Sequence, residues 1–340
     1  MPDETARRID AWLARCTDPA TNPCQGMAEA GLFAPLDRYI AIARTKAALT
    51  ERTGLIGIGA AWGGRQVVGR YFIAAYANDA QRAAWLGSAA SVAISEPGVG
   101  AHPKHLRTRA ELDGDAYRIT GEKAWVSNGL SAEVIIVFAI TAEDADGRKH
   151  YSAFLVPRVT PGLTLRDMPG FHALRPSRHC TVTLDGCRVP RAALLGALGT
   201  AYERMALPFR DAEDAVGTFG HLGAFRWLVA RFGALQAHAD DAILALGGMA
   251  ALTAVFAAGA ESVVAALDAG RLASAAPALI GLRILAADML VRARSLRIRH
   301  VPGENTAIDV MLDDLEATLS IASLPRQMRQ ARLGATLMEG

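Results

Sequence analysis

Between residue 89 and about residue 199 the sequence breaks into short strand-like runs divided by turns, with no helical stretch between them. No other feature restricts the fold as tightly. Ser91-Val-Ala-Ile-Ser95 is ended by Pro97-Gly98, and the runs 106–112 and 117–119 flank Asp113-Gly114-Asp115, a hairpin signal. Val134-Ile-Ile-Val-Phe-Ala-Ile140 is an unbroken apolar run and Ser152-Ala-Phe-Leu-Val156 is another. Thr181–Leu184 and Cys187–Val189 bracket Asp185-Gly186. Strands that follow one another through turns pair antiparallel, so this region is predicted to form a sandwich or barrel.

Helical patterning lies on either side. Ile9, Leu13 and Cys16 recur at helical spacing, as do apolar residues from Ile40 to Leu49, and a Gly-dotted apolar stretch runs from Leu55 to Tyr76. From about residue 200, Ala/Leu-rich stretches are broken at Gly247-Gly248, near Gly270 and at Pro302-Gly303. Four long helices fit between 201 and 338, the pattern of an antiparallel bundle. The expected architecture is α+β: an N-terminal helical domain (1–88), a middle antiparallel β domain (89–199) and a C-terminal four-helix bundle (200–340).

Composition excludes several classes. At 51% hydrophobic with a net charge of +2, the 340-residue chain is too apolar for a disordered polymer. Its 36 Lys+Arg against 34 Asp+Glu leave no excess to track phosphates, so no nucleic-acid partner is expected. Cys16, Cys24, Cys180 and Cys187 form no CxxC pair and read as reduced thiols of a cytoplasmic protein, without zinc. Residues 242–260 carry no charge and approach spanning length, but they are mostly Ala and Gly with Asp240, Asp241 and Glu261 alongside. A buried helix of a soluble protein is expected there, not a membrane span. The first residues have no apolar signal-peptide core behind them.

Two apparent motifs dissolve on inspection. Gly57-Ile-Gly59 with Gly63-Gly64 lacks the third glycine of a dinucleotide loop, since position 62 is Trp, and no strand precedes it. Close helix packing is the expected use. His102 and His105 lie in a loop without Cys or carboxylate neighbours, so no metal site is expected, and no GxSxG elbow supports a serine hydrolase.

Ser95-Glu-Pro-Gly-Val-Gly100 and Asp113 through Gly129 carry more chemistry. A hydroxyl ends a buried strand, glycines let backbone approach a ligand, and Trp125 and Ser127 project to one face of a later strand. Such a wall suits a flat heteroaromatic with polar edges; a core Trp beside a turn is the plain alternative. The segments S-E-P-G-V-G-A-H and G-D-A-Y-R-I-T-G-E-K-A-W-V-S-N-G, with Arg175-Pro-Ser177 and Thr181 through Pro190, resemble three blocks of the acyl-CoA dehydrogenase family in order and spacing. Helix–β–helix order matches as well.

That resemblance implies FAD between the β domain and the C-terminal bundle, with Ile94, Ser95, Gly100, Trp125, Val126 and Ser127 against the cofactor. It implies α,β-oxidation of an acyl-CoA or carrier-bound acyl thioester, with electrons passed to an electron-transfer flavoprotein, by a homo-oligomer or a hetero-oligomer with a paralogue. Departures accompany it. Ala101, a candidate substrate contact, takes the place of a Ser that in the family binds the ligand's phosphate or pantetheine, His102 replaces the neighbouring Asp, and His179 stands where the third block has Thr. No aromatic residue follows Phe256, so the family's usual Tyr-Glu-Gly-Thr base motif is missing, and Leu315-Glu-Ala-Thr318 is a faint echo on a charged helix face. Phe209 through Gly223 is similar to the family helix that carries the base in isovaleryl- and long-chain-type members, and Glu213 falls on that base. Asp211 and Asp214 beside it are candidate substrate contacts; an acidic run favoured by a helix start is the alternative. Arg231-Phe-Gly233, Gln236 and Gly247-Gly248 only hint at the family's FAD grip. These departures motivate two rival readings, a catalytically degenerate partner subunit and a flavin monooxygenase on the same fold.

Overall fold

The computed structural model describes residues 2–16, 18–19, 26–168, 170–234, 240–301, 303 and 306–339. Cys24 and Gln236 lie outside them. The N-terminal helices are α1 (Pro2–Leu13), α2 (Tyr39–Thr53), α3 (Ile56–Val68), continued by a π turn (Gly69–Ile73) into α4 (Ala74–Tyr76), and α5 (Asp79–Trp85). Strands β1 (Ala90–Ala93), β2 (Arg109–Asp113), β3 (Ala116–Ser127), β4 (Val134–Glu143), β5 (Lys149–Pro157), β6 (Leu163–Asp167), β7 (His179–Pro190) and β8 (Leu194–Leu195) follow. The C-terminal helices are α6 (Leu207–Ala234), entered through a π turn (Tyr202–Ala206), α7 (Asp240–Asp268), α8 (Ala276–His300), α9 (Thr306–Ser320) and α10 (Ser323–Glu339).

The strands make one sheet in the order β6-β7-β3-β2-β4-β5-β8, mostly antiparallel, with β1 added parallel to β4. The sheet folds on itself. Ile135, Val137 and Ala139 of β4 meet Val182, Leu184 and Val189 of β7 in an inner β core. The alternate residues of β4, Val134, Ile136, Phe138 and Ile140, join the helical core instead. An unbroken apolar run is what a strand covered on both faces requires, because neither set of side chains meets water. Phe72 fixes the seam, packing 4.7 Å from Phe209 of α6 and 6.0 Å from Phe138.

α2, α3 and α6 approach unusually closely. A Cβ at Gly223 would lie 2.4 Å from the Ala47 carbonyl, and one at Gly59 would lie 2.3 Å from Thr50 Oγ1. The glycines of α3 are thus packing glycines on a helix with no preceding strand. The start of α2 has no side-chain cap of its own; the carboxylate of Asp268, at the end of α7, accepts from the amides of Tyr39 (2.7 Å) and Ile40 (3.1 Å). Asn78 and Gln81 form a capping box on α5, and Gln81 Nε2 donates to the Ala192 and Leu194 carbonyls, tying the helical arm to the β domain.

The fourth segment expected of the bundle is divided, with Ala322 in left-handed backbone between α9 and α10. α7 also differs from the expected buried helix. Met249, Phe256, Val263 and Val264 are buried while Leu244 and Val255 face outward. α7, and α8 with the short turn before it, are long and apolar enough to cross a membrane by length and composition, yet only 22% and 28% of their apolar windows are buried.

Candidate active site

Ser95 leaves the end of β1 on a loop that is bolted to β3. The Ala124 amide donates to the Ser95 carbonyl (2.9 Å), and Lys123 Nζ donates to the Ile94 carbonyl (3.0 Å) and to Glu96 Oε1 (2.9 Å). Glu96 also accepts from the amides of Arg107 and Thr108. Burial alone would raise the Glu96 carboxyl, but the Lys123 ammonium and the Thr108 donors outweigh it and hold the group below its usual range. Burial draws Lys123 down to about 8 despite Glu96. The pair is a structural pin. Beyond it, Gly98 and Gly100 take positive φ (+73° and +59°), a turn that side chains resist. Tyr202, on the π turn before α6, donates to the Ala101 carbonyl (2.7 Å). Ala101 is therefore engaged through its backbone.

Trp125 and Ser127 share an exposed face of β3, with one distortion in the strand. The β3–β7 register shifts between Lys123 and Val126, and Trp125 takes φ +60°, a strained value for a bulky residue. Trp125 is still 51% exposed, Ser127 is exposed, and Val126 between them is buried in the β core. Only backbone remains at Val126 to touch a ligand. The Ser91 hydroxyl holds the Ser127 carbonyl (2.9 Å), leaving the Ser127 side chain outward. Phe171 and His179 stand edge-on to the indole, 5.7 and 6.3 Å away. His179 Nδ1 is buried without a hydrogen-bond partner among the described residues, and burial, then Arg175, lower its pKa and keep the ring neutral. A half-bare indole beside an unsatisfied imidazole nitrogen fits a planar heteroaromatic with a polar edge. FAD therefore suits these residues.

Asn128 joins this wall to α3, donating to the Ala61 carbonyl (2.9 Å). The loop before β7 is held from two sides. The Leu174 and Arg175 carbonyls lie where a Cβ of Gly57 would be, 2.1 and 2.3 Å away, and the Leu174 amide donates to Asp314 of α9 (2.7 Å). Burial raises Asp314 to about 6, against the Leu174 bond.

Glu213 lies in the second turn of α6. By surface area it is exposed, yet protein surrounds it so densely that desolvation, with Asp214, raises its pKa, while Lys46, Arg326 and Arg210 oppose the rise. The carboxyl thus meets water while protein crowds the space around it. Lys46 comes from α2 and His221 from two turns further along α6, with His221 Nε2 3.0 Å from Thr318 Oγ1 of α9. Burial first, then Lys46 and Arg326, pull His221 to about 3.

Asp214 and Asp211 are committed elsewhere. Asp214 is clasped by Arg326 (2.7 Å), Arg283 (3.3 Å) and Arg329 (3.5 Å), and Asp211 pairs with Arg329 (2.6 Å). Their face of α6 borders a separate cavity of about 710 Å³ toward α8 and α10. Glu316 makes a solvated pair with Arg294 (2.6 Å). Among the described residues no group of His, Cys, Asp or Glu could hold a metal ion.

Lys46, His221 and Asp314 were not singled out from sequence. Lys46 carried a signal: a lysine in phase with Ile42, Ala43, Leu49 and Thr50, all buried, points inward.

Residues 91–187 match the acyl-CoA dehydrogenase middle domain. A probable acyl-CoA dehydrogenase of Bacillus subtilis, YngJ, is 39% identical over 106 residues, 31% of this chain and 28% of that protein. The human mitochondrial short-chain specific acyl-CoA dehydrogenase is 38% identical over 111 residues, 33% of this chain and 27% of that protein. The matched stretch thus spans under a third of these relatives. In fold the likeness is complete: glutaryl-CoA dehydrogenase from Mycobacterium smegmatis superposes with a TM-score of 0.81 at 22% identity, over 100% of this chain and 95% of that one. The prolyl acyl carrier protein oxidase AnaB gives 0.81 at 19% identity over 98% of each chain.

Proposed function

We propose that this chain is a member of the acyl-CoA dehydrogenase family, a cytoplasmic FAD-dependent oxidoreductase acting on an acyl thioester at its α,β bond. The reading rests on Glu213: a carboxyl that meets water, is desolvated by the protein around it, and has no cation within 4 Å among the described residues. Desolvation makes it a stronger base than a surface carboxylate, which proton abstraction beside a thioester carbonyl demands. Glu213 takes the α-proton, the electron pair left on the α-carbon closes the carbon–carbon double bond, and the β-hydrogen departs as hydride with its own pair. FAD, when bound, supplies the hydride acceptor. Trp125 would cover one face of the ring system, the Ser95 and Ser127 hydroxyls would meet its polar edge, and His179 would offer a neutral nitrogen beside them. An electron-transfer flavoprotein is the proposed oxidant, and CoA or a carrier protein presents the acyl group.

The wall is held for this task by the Glu96–Lys123 pin and by the contacts of Gly57 and Asp314 with the 174–175 backbone. Preorganised donors need no rearrangement during reaction. The outward apolar residues of α7 and α8, among them Leu244, Val255, Val291 and Ile298, support assembly into an oligomer, through a second copy or a paralogue.

Anaerobic titration of the FAD-loaded protein with acyl-CoA tests the reading. The wild type should lose its visible flavin absorbance; Glu213→Gln should keep FAD bound and bleach about 10²–10⁴-fold more slowly. Full-rate bleaching in that variant removes Glu213 from the role. The same apolar faces favour one second reading, a subunit that completes the FAD site of a paralogous partner. A lone chain that binds FAD and is bleached by acyl-CoA ends it.

A further inference from the structure

The cavity of about 710 Å³ beside α6 takes no part in the chemistry assigned to Glu213, which does not line it. Its walls are the start of α6, the turn between α7 and α8, the first half of α8, and α10; among the described residues no side chain of the β domain lines it. Two helix faces supply most of the surface. On α8, Ile280, Arg283, Ile284 and Ala287 recur at i, i+3, i+4 and i+7, and on α10 Ser323, Arg326, Gln327 and Gln330 keep the same spacing. Leu267, Leu279, Leu319 and Leu333 extend the aliphatic part. A space of this size, mostly apolar with a few convergent polar groups, is suited to a small organic ligand.

Those polar groups carry excess positive charge. Arg283, Arg326, Arg329 and Arg332 line the cavity against two carboxylates, Asp211 and Asp214. Three of the guanidiniums share Asp214, at 3.3 Å from Arg283, 2.7 Å from Arg326 and 3.5 Å from Arg329. For Arg283 this is the one carboxylate within 4 Å among the described residues, and its side chain is only 16% exposed. Arg326 is 17% exposed, and its Nε is buried without a hydrogen-bond partner among the described residues. Guanidiniums that are short of water and outnumber their carboxylates attract a further oxyanion, and their planar fork matches carboxylate or phosphate with paired donors.

We infer that this cavity binds an amphiphile with a single oxyanion head, a carboxylate or a phosphate, on an aliphatic body. The head meets Arg283 and Arg326, and the body lies along Ile280, Ile284, Leu319 and Leu333. This is a second ligand site, and it stands whether or not Glu213 is the base.

Calorimetry on the FAD-loaded protein tests it with decanoate, decyl phosphate, decanol, acetate and inorganic phosphate. At least one anionic amphiphile should bind about tenfold or more tightly than decanol, and about tenfold or more tightly than the small anion with the same head. A preference for either head supports the site and names the head. Arg283→Met should weaken the anionic amphiphiles about tenfold and leave decanol unchanged. Ile284→Asn, at a lining position that is 45% exposed, should weaken all three alkyl probes. Equal affinity for decanol and both anionic amphiphiles would overturn the proposal, as would binding of the small anions as tightly as the amphiphiles, or failure of every probe to bind. Undiminished binding in Arg283→Met would overturn it too, because an amphiphile held at the thioester site would not feel that change. Where Arg283→Met fails to fold, Arg332→Gln at the exposed end of the cluster should weaken the anionic probes in the same sense.

Discussion

Two lysines leave water in this protein, and they do so in opposite ways. Lys123 of the β domain is fully buried and closes a circuit with Glu96 at 2.9 Å and the Ile94 carbonyl at 3.0 Å. Lys46 of α2 is desolvated with no anion within 4 Å among the described residues, and part of it still meets solvent. A satisfied buried charge is architecture: its partners are chosen and nothing further can bind. An unsatisfied one carries its desolvation without compensation.

That contrast can be broken by substitution. Lys123→Met strands the Glu96 carboxylate in the interior and should destabilise the protein by about 3–5 kcal/mol in chemical denaturation, with much of the loss recovered when Glu96 is also made apolar. A loss under about 1 kcal/mol would mean the pin is not closed.

Asp314 offers an acidic counterpart to Lys46, desolvated and without a cation within 4 Å among the described residues. Its pKa of about 6 lies above the ordinary value, so the native state favours the protonated form. Its stabilising contribution is complete below about pH 4 and fades as pH rises through about 6. Asp314→Asn should therefore remove a fall in Tm across that window and gain about 1–3 kcal/mol at pH 7. An unchanged Tm–pH profile would show that Asp314 ionises freely in the fold.

Lys46→Met sharpens the comparison from the other side. Removing an uncompensated charge from a slot that a thioether fills should leave stability unchanged or raise it by about 1 kcal/mol, the opposite sign to Lys123→Met. Destabilisation as large as that of Lys123→Met would mean that Lys46 is architecture after all. Smallest of all, Glu316→Gln loses a solvated pair with Arg294 and should change stability by less than about 0.5 kcal/mol and leave flavin reduction intact.

What the sequence disclosed follows the same division. The β domain could be read because its determinants are local. Turn glycines, alternating strands and the Ser95–Gly100 and Trp125–Asn128 segments announce themselves within a few residues. Even so, the backbone twist at Trp125 was hidden, since a bulge depends on how β3 registers against β7. The candidate site in the helices was legible only at Glu213, and there by likeness to a family helix. Lys46, His221 and Asp314 lie on three helices and gain meaning only when α2, α6 and α9 converge. The outward stripe on α7 could not be foreseen from an Ala-rich run with almost no polar face to mark the solvent side.

The bond from the Leu174 amide to Asp314 reaches across 140 positions of the chain, from the rim of the β domain to a helix close to its end. Its consequence concerns modularity. Residues 91–187 can be delimited as a domain by sequence, yet the loop leading into their last strand is shaped by α3 on one side and α9 on the other. The middle domain is therefore not a portable cassette: grafted alone onto another bundle, it would carry its fold and leave behind the contacts that shape the 174–175 loop.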